Sequence, residues 1–204
     1  PMSPTKIKTL DVSQDVAKLM GITVGAANSV RVDDRMMAVA IEAKPKQDMG
    51  YVAFYKIEDH TFITAVKVGA LPDMVTFSHD GKHVVVANEG EPNGDYSVDP
   101  EGTISVIDIL ASGEPEETGT TVGFTAFNGS QAELMAQGMM FPNPSGRTIN
   151  GTAIATTVAQ DLEPEYIAAT NDVAYVSLQE NNGLAVLDLE ELTVDVVGLG
   201  TKSW

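Results

Sequence analysis

Cysteine is absent from this 204-residue sequence. That removes disulfides, thiol catalysis and Cys-ligated zinc together, and leaves the redox compartment open. Basic residues are scarce: 12 Lys and Arg stand against 29 Asp and Glu, a formal net charge of −17. A nucleic-acid partner is therefore not expected, because a phosphate backbone demands a basic footprint. No run approaches the roughly 18 uninterrupted apolar residues of a membrane span, and no charged segment followed by an apolar one opens the chain. The GxSxG elbow, P-loop, GxGxxG and HExxH patterns are all missing. The first residue is Pro1 and the last stretch, GLGTKSW, follows directly on a strand pattern, so the chain reads as an interior piece of a longer protein.

What is present is a repeated β pattern. Residues 74–78 form a short apolar run, Asp80-Gly81 is a tight-turn dipeptide, and residues 83–88 form the returning strand. The long acidic loop EGEPNGDYSVDPEG follows, and residues 103–109 resume the strand pattern. Residues 120–127 read as a fourth strand. The same unit precedes it, with strands over 28–32, 36–43, 51–56 and 62–68. It follows it again over 166–170, 173–178, 184–189 and 193–197. An edge strand is expected at 5–12, with short helices at 13–20 and 130–137.

The three copies superpose on GYVAFYKIEDHTF, GTISVIDILAS and NGLAVLDLEELTV, at a period of about 45 residues once insertions are removed. Four strands at that period predict an all-β fold, a β-propeller of about three four-stranded antiparallel blades plus flanking strands, since one small sheet cannot bury both faces alone. The whole chain, 1–204, reads as a single partial propeller domain, with blades at about 22–69, 70–127 and 153–198 and an insertion at about 128–152. A β-sandwich of about a dozen strands is the alternative. An incomplete ring would leave apolar blade faces open at both ends, which favours self-association.

Blade connectivity sorts the loops. With strands A to D running outward from the axis, the B–C loops and D-to-A connections share one end of the blades. The A–B and C–D turns share the other. Asp73, Glu89, Glu91, Asp95, Asp99, Glu101, Asp161, Glu163, Glu165 and Glu180 fall at the first end. His60, His79 and His83 fall at the second, so a His-ligated zinc or a Ser/His/Asp triad using those acids is not expected. Crowded carboxylates raise one another's pKa unless a cation joins them. The acid loops also carry Asn88, Asn93, Asn181 and Asn182, whose carbonyls would complete a hard-oxygen Ca²⁺ shell, with Mg²⁺ the second choice. The candidate metal ligands are Glu89, Glu91, Asp95, Asp161, Glu163 and Glu165. A solvated acidic rim and a catalytic carboxylate pair are the competing readings. No basic residue is expected near these acids, Lys82 lying at the other end and Arg147 in the insertion.

The segments VGALPDMVTFSHDGKHVVVANEGEPNGDYSVDPEGTISVIDI, VAQDLEPEYIAATNDVAYVSLQENNGLAVLDL and GAANSVRVDDRMMAVAIEA resemble the choice-of-anchor I family. Its members are secreted or surface-attached bacterial β-propellers, often labelled alkaline-phosphatase-like. The resemblance covers roughly residues 20–200 and implies a propeller longer than this chain, at an extracellular, periplasmic or cell-surface location. The expected function is a binding or interaction module with an acidic, divalent-cation-loaded face, for an unidentified ligand or protein partner. The alternative is a metal-dependent esterase or phosphatase, lactonase-like or alkaline-phosphatase-like, built on Glu89, Glu91, Asp161, Glu163 and Glu165. No catalytic motif in the sequence supports the phosphatase label.

Overall fold

The computed structural model describes residues 5–143 and 146–202; Pro1 and Trp204 lie outside them. Three four-stranded antiparallel sheets follow one another along the chain as propeller blades. Blade 1 holds β1 (Val24–Val32), β2 (Met36–Ala43), β3 (Met49–Lys56) and β4 (Phe62–Ala70). Blade 2 holds β5 (Pro72–Phe77), β6 (His83–Asn88), β7 (Thr103–Asp108) and β8 (Thr120–Gly123). After β8 the chain forms a 3₁₀ turn (Thr125–Phe127), helix α2 (Gln131–Ala136), and a hairpin of β9 (Thr148–Ile149) and β10 (Thr152–Ala153). A short helix α3 (Val158–Asp161) then leads into blade 3, made of β11 (Pro164–Ala169), β12 (Val173–Leu178), β13 (Gly183–Asp188) and β14 (Val194–Gly198). In each blade the strands pair in sequence order, and β5 packs between β1 and β11.

Burial explains why the three blades differ in pattern. Blade 2 is covered on both sides, so β6 (HVVVAN) is buried at every residue but its first. Val75, Phe77, Val84, Val86 and Ile107 meet Ala38, Ala40, Val52, Phe54 and Val66 of blade 1. On the other side Val85, Ala87, Ile104 and Val106 meet Ile167, Ala174, Val176, Leu178, Ala185 and Leu187 of blade 3. Each such Val, Ile or Leu contributes on the order of 1.5–3 kcal/mol. Blade 3 is covered on one side only, and β13 (GLAVLD) alternates strictly between buried and half-buried residues. Its other face carries Tyr166, Tyr175 and Val197, all exposed.

At the opposite end of the stack the apolar face is closed. Residues 5–11 do not form the expected strand; helix α1 (Val12–Met20) follows them and lies across all four strands of blade 1. Val12, Val16 and Met20, spaced by four, turn one stripe onto Val39, Ile41, Tyr51, Ala53, Tyr55 and Ala65. The helix begins one residue earlier than Ser13, because Asp11 caps it by accepting from Gln14 N at 3.0 Å. It ends at Gly21, whose φ of 69° lets its N–H reach Ala17 O at 2.9 Å. Only the blade 3 face therefore remains open among the described residues, not both ends.

Two further boundaries depart from the sequence reading. The fourth strand of blade 2 stops at Gly123, and Phe124 is instead fully buried between blades 2 and 3. Helix α3 was not expected; Thr157 and Gln160 form a reciprocal capping box at its start. Leu134 and Met139 from the insertion seal the same interblade core.

Candidate functional site

The acid-bearing loops emerge together because of strand order. Pro72 pairs with Asn88, Asn88 with Thr103, Pro164 with Leu178, and Leu178 with Gly183, so the β6–β7 loop, the lead into β11 and the β12–β13 turn lie at one end of the blades. Glu89 N bonds Leu71 O at 2.9 Å and Gly90 N bonds Ala70 O at 3.2 Å, which pins the start of the acidic loop to the crossing from blade 1. At the end of that loop Gly102 N donates to Ala159 O at 3.1 Å. A Cβ on Gly102 would stand 1.9 Å from Leu162 O. The two acid loops are thus in backbone contact.

Glu163 occupies the centre of this arrangement. It is only 8% exposed, and no hydrogen bond to its carboxylate occurs among the described residues. Its backbone N–H is held by Asn181 Oδ1 at 3.2 Å, while Asn181 Nδ2 donates to Asp161 O at 2.7 Å and Met140 O at 3.1 Å. Burial, reinforced by Glu89, Glu180, Glu91 and Asp161, pushes the Glu163 carboxyl up to about 8. Glu89 is pushed up to about 7 by burial and by Glu91, Asp73 and Glu165, against a smaller opposing pull from Lys46. Burial also raises Asp161 to about 6, although its Oδ1 accepts from Asn143 N at 3.0 Å. Glu165 is raised as well, by burial and then by Asp73 and Glu180. Like charges and lost hydration act together here, each disfavouring ionisation.

Of the six expected ligands, Glu89, Glu91, Asp161, Glu163 and Glu165 belong to one electrostatic network. Asp95 does not. It is fully exposed and turned onto its own loop, accepting from Ser97 Oγ at 2.6 Å and Ser97 N at 3.1 Å, which lower its pKa. The amides divide likewise. Asn93, Asn181 and Asn182 spend their side chains on loop architecture. Asn88 is fully buried and donates to Thr103 and Ser105, while among the described residues its Oδ1 has no partner, nor have the buried oxygens Asp99 Oδ1 and Glu165 Oε2. Such orphaned acceptors fit a hard cation's ligand chemistry. Among the described residues no three Asp, Glu or His groups already stand close enough to hold a metal, so an ion would have to draw the loops inward.

Sequence reasoning missed Lys46. It lies in the β2–β3 loop of blade 1, and its ammonium pairs with Glu91 Oε2; Gln47 Nε2 donates to Glu91 O at 3.2 Å. The acidic end therefore does contain a basic group. The signal was available, since KPKQDMG is a B–C loop and the same connectivity that placed EGEPN at this end places Lys46 there.

The histidines lie at the other end. His83 Nδ1 is 2.6 Å from Asp108 Oδ1, and both line a cleft of about 440 Å³ with Asp80, Lys82, Asn171 and Asp172. Tyr96 is half-buried, its hydroxyl donating to Asn143 Oδ1 at 2.9 Å.

The choice-of-anchor I domain profile matches residues 1–204. The chain belongs to the choice-of-anchor I family. No curated protein matches it. Among solved structures, this choice-of-anchor I domain is similar to a functionally unknown protein from Desulfotomaculum acetoxidans DSM 771, at 13% identity and a TM-score of 0.49, over 85% of this chain and 43% of that one. It is also similar to the Pseudomonas aeruginosa periplasmic gluconolactonase (16% identity, TM-score 0.43, 89% and 60% covered). A putative 6-phosphogluconolactonase from Bacteroides fragilis NCTC 9343 gives 15% identity and a TM-score of 0.36, with 89% and 58% covered. The chain spans less than two thirds of the length of each.

Proposed function

We infer that this choice-of-anchor I domain is a binding section of an extracellular, periplasmic or cell-surface propeller, whose acidic end holds a divalent cation and presents it to a ligand or protein partner. The observation that carries this reading is Glu163: a residue 8% exposed, with no hydrogen bond to its carboxylate among the described residues, set among Glu89, Glu91, Asp161 and Glu180. Leaving a buried carboxylate uncompensated costs several kcal/mol, and a bound cation reverses the sign of that interaction. Calcium suits the site better than magnesium. It accepts six to eight oxygens from adaptable loops, whereas Mg²⁺ demands a tight octahedron and keeps its waters. Glu89, Glu91, Asp161, Glu163 and Glu165 would supply carboxylates, and Asn88 an amide oxygen.

Calorimetric titration of the chain with CaCl₂ tests the reading. Saturable uptake that is lost in Glu163→Gln is expected. Heat no larger than that of NaCl at equal ionic strength would leave a solvated rim. A second reading, metal-assisted hydrolysis of a phosphate or lactone ester, gains one observation for the phosphate ester alone, because Lys46, now paired with Glu91, is a cation at the acidic end that an anionic substrate could engage. Calcium-dependent turnover of a nitrophenyl phosphate or an aldonolactone would favour it.

A further inference from the structure

The first strands of the three blades, β1, β5 and β11, together line a cavity of about 270 Å³ near the histidine end, away from the acidic loops. Arg31, Thr76 and His79 bring its polar groups, and Met74, Phe77 and Ile167 its apolar wall. Arg31 is exposed, and its guanidinium has no ion pair or hydrogen bond among the described residues, in a chain of net charge −17. Two acids of the adjoining turns are already compensated, Asp33 by Arg35 at 3.0 Å and Asp80 by Lys82 at 2.8 Å. Thr76 is only 5% exposed, yet no hydrogen bond to its hydroxyl occurs among the described residues. A hydroxyl so far out of water and without a partner costs free energy that a ligand in the cavity would recover. The walls are fixed: His79 N donates to Thr170 O at 3.2 Å, and Ile167 N donates to Met74 Sδ at 3.0 Å, so blades 2 and 3 are joined beside the cavity.

We propose that this cavity binds a small organic carboxylate. Arg31 pairs with the carboxylate, the Thr76 hydroxyl and the His79 imidazole are the further polar contacts, and the body of the ligand lies against Met74, Phe77 and Ile167. A planar guanidinium matches the two oxygens of a carboxylate in a single fork. A bare oxyanion would leave the apolar wall in water, and a neutral body would leave Arg31 unpaired; a carboxylate with an apolar body meets both. Water in the liquid occupies about 30 Å³ per molecule, so the cavity has room for about nine non-hydrogen atoms, the size of benzoate. The site needs no cation at the acidic end and stands whether or not one binds there.

The test is methyl-detected NMR of the full chain titrated with sodium benzoate, and in parallel with benzamide and inorganic phosphate, at constant ionic strength. Benzoate should give saturable shifts at the Met74 and Ile167 methyls, and benzamide and phosphate should bind more weakly by about tenfold or more. Arg31→Gln should weaken benzoate by a similar factor, because the charge-assisted pair is lost. Thr76→Val should weaken it severalfold while leaving melting unchanged or raised, since it removes a hydroxyl without a partner. Neither side chain bonds to another described residue, so both variants are expected to fold, and their melting checks this. If benzoate shifts neither methyl, if Arg31→Gln binds it as well as the parent, or if phosphate or benzamide binds as tightly, the proposal is overturned. Lower melting in Thr76→Val with benzoate binding intact would overturn the part given to its hydroxyl.

Discussion

The phenol of Tyr55, on the third strand of blade 1, donates a hydrogen bond to Asp15 Oδ2 of helix α1 at 2.9 Å. Tyr55 is 1% exposed, and burial together with this bond raises its pKa, keeping it a neutral donor. The bond fixes the helix over an apolar sheet face that would otherwise meet water. Tyr55→Phe is expected to cost about 1.5–3 kcal/mol in urea unfolding, the range for a hydrogen bond to a charged group. Asp15→Asn, which keeps an acceptor, should cost less; equal losses would contradict the assignment.

Capping by α1 makes the stack one-sided. The open face of blade 3, with Tyr166, Tyr175 and Val197, is where copies of the chain can meet. Weak, concentration-dependent dimerisation that salt strengthens by screening the −17 charge is expected in light scattering, with Tyr175→Lys and Val197→Lys abolishing it. Large open-ended oligomers would contradict the capping role of α1, because head-to-tail stacking needs the blade 1 face free.

The raised carboxyls predict the pH response. Glu89 at about 7, Glu163 at about 8 and Asp161 at about 6 hold protons in the folded chain where the unfolded chain has lost them. Folded protein then binds more protons than unfolded, so stability falls as pH rises from about 4 to about 8. In chelator the melting temperature should drop across that window, and Glu163→Gln should flatten the drop. A melting temperature that rises from pH 5 to 8 would contradict the burial of these groups.

Gly102 couples the two acid loops. Its substitution by Ala forces a Cβ against Leu162 O, a backbone atom that cannot swing aside. Gly102→Ala is expected to destabilise the chain by about 1–3 kcal/mol and to weaken calcium uptake by displacing Glu163. Unchanged melting and uptake would mean that the loops are not rigidly joined.

The blades were legible because the apolar runs and turn dipeptides agree. Asp80-Gly81 closes a hairpin with Gly81 at φ 66°, and the runs around Met36, His83 and Val173 become strands close to their expected bounds. The first segment was misread because TKIKTLDV alternates like a strand, yet residues 5–11 join no sheet and α1, which follows them, takes the apolar face of blade 1. Phe124 belongs to a strand-like run but is claimed by the interblade core, and tertiary packing overrides local pattern there. Connectivity alone placed the acids at one end. Which of them are buried depends on loop contacts, such as Asn181 gripping the Glu163 backbone, that no local signal encodes.

The central claim is that the acidic end is a cation site and not a solvated rim, and thermal unfolding in calcium tests it most directly. Binding to the folded chain alone adds about 2.7 kcal/mol at a hundredfold excess over Kd. For a domain of this size that amounts to a rise of roughly 5–11 °C. The doubly substituted Glu163→Gln, Glu165→Gln chain should lose most of the rise, and NaCl at matched ionic strength should not reproduce it. Equal calcium responses in parent and variant, or an equal response to NaCl, would contradict the account.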